Sequence, residues 1–367
     1  MEKIEIIVEA TNNEEQEKRI AAVANVKYRL PSVGLYVVEV PKANLAELQG
    51  IEGVSSIQNN TYITAQSTDV TGRGISIAIL DTGVAPVNDL ILPKSRILTC
   101  VDFINSRTHP YDDNGHGTHV AGVAAGNGVM SQGKYMGMAP EANIIGIKVL
   151  DEAGRGNATD ALAGIQWIID NKQRYNIRVA NLSIGTLDVG SVDPLVKAVE
   201  AAWDEGIVMV VAAGNNGPRK QSITSPGTSR KAITVGAADD QNSVDIGGSS
   251  MKNFSGRGPT LECIIKPDIV APGCGIISCL TNSPEISEKR LSNMKVMDDY
   301  YVQMSGTSMA SPRIAGAVAL LLQKFPALTP NEVKLRLKLS ALDLRFSRNR
   351  QGWGMLDIEK LLSNNPF

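Results

Sequence analysis

Three short segments, each rich in glycine or other small residues, carry side chains that together could perform nucleophilic catalysis. They supply the carboxylate of Asp81, the imidazole of His116 and the hydroxyl of Ser308, in that order along the chain. A serine hydroxyl is a poor nucleophile until a neighbouring base accepts its proton, and imidazole, with an ordinary pKa of about 6.5, is a suitable base near neutral pH. A carboxylate on the far ring nitrogen fixes the tautomer and stabilises the imidazolium. The sequence therefore predicts a serine hydrolase, built from the segments Ile77–Gly83, Asn114–Gly122 and Ser305–Pro312.

The predicted local structure would bring these groups to one edge of a sheet. Asp81 directly follows a predicted strand and residues 213–217 follow another, and ligands of open α/β sheets bind outside the carboxyl ends of the strands. His116 and Ser308 each begin a predicted helix, where backbone N–H groups lack intrahelical acceptors. The N–H of Ser308 and the side-chain amide of Asn215 are therefore the expected donors to a developing oxyanion.

Each of these residues also has an ordinary structural interpretation. Asp81 could simply cap a strand end, and Ser308 could be a helix N-cap. The spacing of His116 and His119 is compatible with a metal pair, but neither a third ligand nor a glutamate completes a metallohydrolase pattern. We therefore expect His119 to be structural and no metal to bind there.

From Gly74 onward, short apolar segments alternate with longer helical ones, which predicts a mainly parallel sheet covered on both faces by helices. The predicted strands are Ile75–Leu80, Ile144–Val149, Val179–Leu182, Ile207–Ala212 and Ile233–Gly236. The predicted helices are His116–Ala125, Ala158–Lys172, Val192–Glu205 and Ser308–Lys324. Polar loops are expected on the surface at residues 247–258 and 282–299.

Residues 1–66 form a separate small α+β unit in this prediction, and residues 67–367 form the large domain. The pattern of the first unit predicts strands and helices in alternation. Its predicted elements are a strand at Ile4–Val8, a helix at Asn13–Val23, a strand at Gly34–Val40, a helix at Ala43–Leu48 and a strand at Val54–Ile57.

The bulk composition is that of an ordinary globular protein, with 43% hydrophobic and 20% charged residues. A net charge of −2 gives no reason to expect nucleic acid as a partner, and no apolar stretch approaches the roughly 20 residues that span a bilayer. The N-terminus lacks a positively charged start before an apolar run, so we expect no secretory signal and a cytoplasmic location. The cysteines, which we expect to be buried free thiols, are Cys100, Cys263, Cys274 and Cys279.

The three segments resemble the Asp, His and Ser signatures of the subtilisin-like serine proteases, the subtilases, almost letter for letter, and share their Asp–His–Ser order. Among subtilases, residues 110–113 and 133–137 are most similar to the bacterial intracellular alkaline-protease group. The resemblance covers roughly residues 70–360 and implies a three-layer α/β fold with a mainly parallel sheet. Further matching segments are Met138–Pro140, Asn181–Gly185, Ala212–Asn215, Phe254–Pro259, Lys266–Gly273 and Gly352–Asp357.

This resemblance implies roles for individual residues. Asp81, His116 and Ser308 would be the catalytic triad, and Asn215 the oxyanion residue. The P1 side chain, which precedes the scissile bond, would enter a pocket with Thr224 at its floor. One wall of this pocket would be formed by Ser183, Ile184 and Gly185, and the other by Ala212, Ala213 and Gly214. Gly154 and Gly156 would belong to a strand that contacts the substrate from the opposite side.

The first 66 residues resemble the inhibitor-like propeptide of subtilases, which implies self-cleavage between Gln66 and Ser67. The alternative is a regulatory domain that is never removed. Catalysis of this kind needs no cofactor. Asp89 matches one ligand of the structural calcium of secreted relatives, so calcium is possible, although an aspartate in such a position is more often an ordinary surface residue.

The function implied is that of an endopeptidase made as a self-inhibited zymogen. Its partners would be protein or peptide substrates and its own propeptide, with neither nucleic acid nor membrane involved. A narrower alternative is a processing protease for one precursor. An alternative of another class is a pseudoprotease that binds partners through the cleft without cutting them.

Overall fold

The computed structural model describes residues 3–11, 13–30, 34–59, 70–187, 193–241, 243–246 and 249–364. The chain divides into two compact units, residues 1–67 and 68–367. The strands are β1 Lys3–Ala10, β2 Asn25–Leu30, β3 Leu35–Pro41, β4 Val54–Asn59, β5 Ser76–Asp81, β6 Ile97–Asp102, β7 Asn143–Lys148, β8 Ile177–Leu182, β9 Val208–Ala212, β10 Ile233–Ala237, β11 Val244–Ile246, β12 Ser249–Met251, β13 Ile269–Ala271, β14 Ile276–Cys279, β15 Lys295–Val296 and β16 Tyr301–Met304.

The helices are of very unequal length, and two of 18 residues dominate the larger unit. They are α1 Glu14–Val23, α2 Leu45–Gln49, α3 Asn88–Ile91, α4 His116–Ala125, α5 Ala158–Tyr175, α6 Pro194–Asp204, α7 Glu288–Ser292, α8 Thr307–Lys324, α9 Pro330–Ser340, α10 Arg348–Gln351 and α11 Ile358–Leu362.

The first unit is a four-stranded antiparallel sheet in the order β2-β3-β1-β4, with α1 and α2 beside it. Strand β3 alternates between buried and half-buried residues, so one face of the sheet forms the core with Ile20 and Leu48. Asn13 caps α1 by accepting a hydrogen bond from the Gln16 N–H at 2.8 Å. The sequence prediction missed β2 because its residues are almost all exposed and show no period-two alternation.

The second unit contains a seven-stranded sheet in the order β13-β10-β9-β8-β5-β7-β6, and every pair of neighbours in it is parallel. Strands β5 and β9 are buried along their whole length, as expected for strands covered on both faces. The predicted α/β class is therefore confirmed. The prediction missed the two edge strands, since β13 has only three residues and β6 is partly exposed.

Helices α4 and α8 pack against each other, as do α5 and α6, and both pairs lie against the sheet. Helix α8 is apolar around most of its circumference because it is buried between α4 and strands β8–β10. Both ends of the described part of this unit attach near the C-terminus of α8. The Thr71 and Gly72 N–H groups donate to Gln323 Oε1 at 2.8 and 2.6 Å, and Lys324 Nζ donates to the Leu362 carbonyl at 2.8 Å.

Two expectations about the surface need correction. The segment at residues 282–299, expected to be a loop, contains helix α7 and strand β15. The segment at residues 247–258, also expected to be a loop, contains strand β12, which pairs with β11 directly before it. All four cysteines are free as expected, but of the four only Cys279 is fully buried. Cys100 and Cys274 are half-buried and Cys263 is exposed, so the expectation of buried thiols was wrong for these three. None of the described helices is both long and apolar enough to cross a membrane.

Candidate active site

Asp81 and His116 meet at the carboxyl edge of the sheet. Asp81 is the last residue of β5 and His116 the first of α4, and His116 Nδ1 lies 2.7 Å from Asp81 Oδ1. The same oxygen accepts the Thr82 N–H at 2.8 Å. Asp81 is fully buried, whereas the imidazole keeps 24% of its side-chain exposure. Because the carboxylate accepts the hydrogen of Nδ1, Nε2 is left as the nitrogen that can take a proton.

Burial and the partner carboxylate act in opposite directions on the pKa of His116. Burial lowers it and is the largest single influence, but the charge of Asp81 and its hydrogen bond together outweigh burial. The pKa of His116 is therefore raised above its ordinary value. The imidazole consequently binds a proton more strongly than free histidine does, which suits a general base near neutral pH.

The buried carboxylate of Asp112 fixes the position of His116 relative to the strand end. Its Oδ1 accepts the Thr82 hydroxyl at 2.8 Å and the Gly115 and Asn114 N–H groups at 2.8 and 3.1 Å. Its Oδ2 accepts the N–H and the hydroxyl of Thr118 at 2.8 and 2.7 Å. One carboxylate thus joins the residue after β5 to both sides of the start of α4.

The start of α4 can approach β5 so closely only because residue 117 is glycine. A Cβ atom there would collide with the Gly83 carbonyl oxygen and would lie 3.1 Å from the Asp81 Cβ. The Gly117 N–H donates to the Thr82 hydroxyl at 2.9 Å. Glycine at position 117 is therefore required sterically, which explains one of the small residues in the segment Asn114–Gly122.

A buried lysine supports the same strand ends. Lys148, the last residue of β7, donates from Nζ to Asp113 Oδ1 and to the Thr82 and Leu150 carbonyls, each at 2.7 Å. A buried ammonium is stable only when it is paired and hydrogen-bonded. These three bonds meet that condition and hold the backbone that follows Asp81.

Ser308 reaches the same edge from the first turn of α8. It is the second helical residue, so its backbone N–H has no intrahelical acceptor. Its hydroxyl lies 3.4 Å from the Ser183 carbonyl oxygen, and the Ser183 hydroxyl donates to the Ser308 carbonyl at 3.2 Å. Ser308 therefore sits beside the loop that follows β8.

The orientation of Asn215 is set by a residue that the sequence analysis did not single out. Thr307 donates from its backbone N–H and from its hydroxyl to Asn215 Oδ1, each at 3.0 Å. The Thr307 hydroxyl in turn accepts the Gly214 N–H at 3.2 Å. With the amide oxygen held in this way, the Nδ2 hydrogens of Asn215 are left to donate elsewhere. The only sequence signal for this role was the hydroxyl directly before Ser308.

A cavity of about 610 Å³ runs along this edge and brings together most of the predicted substrate-binding residues. His116 lines it, and so does the turn at Gly154, which Asp151 closes by accepting the Ala153 and Arg155 N–H groups. The predicted residues among its lining are Gly154, Gly156, Ser183, Ile184 and Gly185.

The other predicted wall differs from expectation. Ala212 and Ala213 are buried and do not line this cavity. Thr224 lies between the remaining wall residues, Gly185 and Gly214. A Cβ atom added at Gly185 would lie 2.5 Å from Thr224 Oγ1, and a Cβ atom added at Gly214 would lie 2.6 Å from Thr224 Cγ2. The Thr224 side chain therefore fills the space between the two walls.

His119 is a structural residue in this fold. It is fully buried, and its Nε2 lies 3.0 Å from the Ile276 carbonyl, to which it donates. Burial lowers the pKa of His119 to about 3, so the ring is neutral near neutral pH. Its role is to tie α4 to β14.

The geometry around Asp89 does not fit a calcium ligand. Asp89 is buried, its Oδ2 accepts the Tyr301 hydroxyl at 2.7 Å and its Oδ1 accepts the Met130 N–H at 3.0 Å. Both oxygens thus face hydrogen-bond donors where a cation would need to lie. Throughout the described ranges, no three His, Cys, Asp or Glu side chains cluster closely enough to hold a metal. The predicted cleavage point at Gln66 and Ser67 lies outside the described residues.

A sequence profile of the subtilase family matches residues 72–354, which include every part of the site described above. The chain belongs to the subtilase family. This subtilase is 48% identical to the serine protease AprX of Bacillus subtilis over 276 residues, which cover 73% of this chain and 61% of AprX. The matched region is thus about three fifths of the length of that relative.

Another relative aligns beyond the catalytic segments. This subtilase is 31% identical to the thermostable alkaline protease of Halalkalibacterium halodurans over 92% of this chain and 85% of that protein. A match of that extent includes part of residues 1–67 as well as the larger unit. Among solved structures, sphericase superposes with a TM-score of 0.64 at 29% identity, covering 78% of this chain and 91% of sphericase.

The opposite shifts in the pKa values of His116 and His119 give a direct test of the site geometry. The chain has three histidines in all, so their ring signals can be assigned by replacing each in turn. We expect the His116 imidazole to titrate above about 6.5, and the Asp81→Asn variant to lower its pKa because the charge of Asp81 is removed. His119 is expected to stay neutral throughout. NMR titration of histidine ring signals measures both, and a His116 pKa that Asp81→Asn leaves unchanged would contradict the proposed pairing.

Proposed function

We propose that the protein is a serine endopeptidase that hydrolyses peptide bonds through an acyl-enzyme, with Asp81, His116 and Ser308 as its triad. The observation that carries this proposal is the 2.7 Å contact between Asp81 and His116 at the strand edge that Ser308 also reaches. Membership of the subtilase family supports the same reaction. A pseudoprotease role would leave this buried pair without a purpose.

The reaction follows from the groups present. As the Ser308 oxygen bonds to the substrate carbonyl carbon, its proton passes to His116 Nε2, and the imidazolium that forms faces Asp81. The carbonyl oxygen gains negative charge and accepts hydrogen bonds from Asn215 Nδ2 and the Ser308 N–H. The C–N bond then breaks as His116 gives its proton to the leaving amine. Water hydrolyses the resulting ester by the same steps with His116 again as the base.

We further propose that residues 1–66 are a propeptide that inhibits the enzyme until it is removed by self-cleavage near Gln66. Two observations support this proposal. Residues 1–67 form a compact unit with its own hydrophobic core, and the relative from Halalkalibacterium halodurans aligns with part of that unit. A separately folded unit can be lost without exposing the core of the catalytic one.

Thr224 favours a narrow substrate range, as in a processing protease. Its side chain occupies the space between Gly185 and Gly214, where the P1 side chain of a substrate would otherwise enter. We therefore expect a preference for small P1 residues such as alanine, glycine or serine. Within the predicted cleavage region around Gln66, Ala65 and Ser67 are the small residues that meet this preference.

Replacement of the nucleophile tests the protease and the zymogen proposals together. We expect purified wild-type protein to separate into two fragments split within one or two residues of Gln66, and Ser308→Ala to remain full-length because it cannot form the acyl-enzyme. Intact mass spectrometry identifies the cut to the residue. Wild-type protein that stays whole and does not react with a fluorophosphonate would exclude the protease, whereas cleavage of Ser308→Ala would mean that a different protease removes residues 1–66.

The hydrogen bond from the Thr307 hydroxyl to Asn215 gives a second test. Thr307→Val keeps the volume and the backbone donor but loses the hydroxyl, a loss of about 1 kcal/mol for a neutral hydrogen bond. We expect kcat to fall about fivefold with little change in KM, since a less oriented Asn215 mainly weakens stabilisation of the transition state. The matched control Thr307→Ser retains the hydroxyl. Equal kcat for Thr307→Val and wild type would remove Thr307 from the catalytic apparatus.

Opening the P1 slot tests the assignment of Thr224. Thr224→Gly removes the side chain between the two walls, so we expect substrates with phenylalanine at P1 to gain at least about tenfold in kcat/KM relative to alanine. Thr224→Ser, which keeps most of the volume, is the control. Profiling of a peptide library by mass spectrometry provides the measurement, and an unchanged P1 profile in Thr224→Gly would show that the P1 side chain binds elsewhere.

A further inference from the structure

The cleft carries an uneven charge that the catalytic reaction does not require. Among the described side chains that line the cavity, the permanently charged ones are Arg155 and Arg290, and none of the described lining residues is Asp or Glu. The chain as a whole has a net charge of −2. The positive lining is therefore a local feature of the cleft and does not reflect the overall composition.

The two arginines are not equivalent. Arg155 is largely exposed and lies 4.0 Å from the carboxylate of Asp151, a weak surface pair. Arg290, in the short helix α7, is half-buried, and within the described ranges no carboxylate oxygen lies within 4.0 Å of its guanidinium. Among the described residues, Arg290 is thus a partly desolvated charge without a directly paired carboxylate.

Arg290 is held firmly in place beside the catalytic histidine. Its Nε donates to the Asn114 carbonyl and its Nη2 to Asn114 Oδ1, each at 3.0 Å. Asn114 is itself fixed, because its Nδ2 donates to the Glu152 carbonyl at 2.8 Å and its Oδ1 also accepts the His116 N–H at 3.3 Å. These bonds use one side of the guanidinium and leave Nη1 without an acceptor among the described residues.

The nearest negative charge does not neutralise this arginine. Burial lowers the pKa of Arg290, and the charge of Asp112 only partly opposes that effect. Both oxygens of Asp112 are already engaged by the five donors at the start of α4. A carboxylate entering the cleft would therefore find in Arg290 a preorganised partner for a charge-assisted hydrogen bond.

The direction of an extended substrate decides which of its side chains meets Arg290. Successive side chains of an extended strand point to opposite faces. If the P1 side chain faces the slot at Gly185 and Thr224, the preceding residue, P2, faces the opposite side, which carries His116, Asn114 and Arg290. We propose that Arg290 determines specificity at P2, so that this enzyme prefers peptides with Glu or Asp one residue before the P1 residue.

This proposal rests on the proposed protease function and deepens it by naming a substrate class. Residues 60–68, which include the predicted self-cleavage region, contain neither Asp nor Glu. The preference therefore concerns substrates other than the propeptide, and removal of residues 1–66 is expected to proceed in variants of Arg290.

The test uses matured enzyme and a set of peptide anilides that share alanine at P1 and carry Glu, Gln or Lys at P2. We expect kcat/KM to fall in the order Glu, Gln, Lys, with about tenfold between the first and last at low salt. The ratio is expected to shrink at about 0.5 M salt because part of the attraction is screened. Equal rates for the three substrates at low salt would overturn the proposal without any variant being made.

Variants separate recognition of charge from support of the fold. Arg290→Gln is expected to bring the Glu-to-Lys ratio close to one, and Arg290→Glu to invert it, while Arg290→Lys keeps part of it. Lys289→Gln removes the same charge from the neighbouring exposed residue of α7 and is expected to leave the ratio unchanged. A purely structural role through Asn114 would lower kcat/KM for all three substrates alike, so an unchanged ratio in Arg290→Gln would reject the inference. If no substrate is cut and a fluorophosphonate does not label the protein, the proposed function itself fails.

Discussion

The arrangement of the site depends on the buried carboxylate of Asp112. Strand β5 and helix α4 are separated by more than thirty residues of chain, yet Asp81 and His116 must lie within one hydrogen bond of each other. Asp112 meets this requirement by accepting five hydrogen bonds from both sides of the junction. Because its two oxygens are saturated, its own burial is compensated while the relative position of Asp81 and His116 is fixed.

The other participants are oriented by the same kind of contact. Thr307 fixes the amide of Asn215 and Lys148 fixes the carbonyl that follows Asp81. In each case a buried polar side chain fixes the orientation of a neighbouring polar group at the site. A site built in this way is preorganised, so that little reorganisation is needed when charge develops on the substrate.

Much of this could be predicted from the sequence because reactive residues that must lie close to backbone require small neighbours. Gly117, beside His116, shows that requirement directly. Thr307, Lys148 and Arg290 could not be singled out, since their partners lie far away in the chain and nothing local distinguishes them from other polar residues. The edge strands escaped prediction for other reasons: β13 has only three residues and β6 is partly exposed, so neither shows a clear periodicity in the sequence. Asp89 shows the limit of matching residue types, since both of its carboxylate oxygens accept hydrogen bonds from residues that no sequence pattern connects with it.

The attachment of Thr71 and Gly72 to Gln323, and of Leu362 to Lys324, has a topological consequence. Both ends of the described part of the larger unit are hydrogen-bonded to consecutive residues of one helix, so a short linker would close that part into a ring. In such a ring Asp81, His116 and Ser308 follow one another without a first or a last residue. Cutting the ring in another exposed loop would give a chain in which the three residues occur in a different order but form the same three-dimensional site. The order of these residues in the sequence is thus set by the position of the chain ends, whereas the chemistry depends only on the positions of their side chains in the fold.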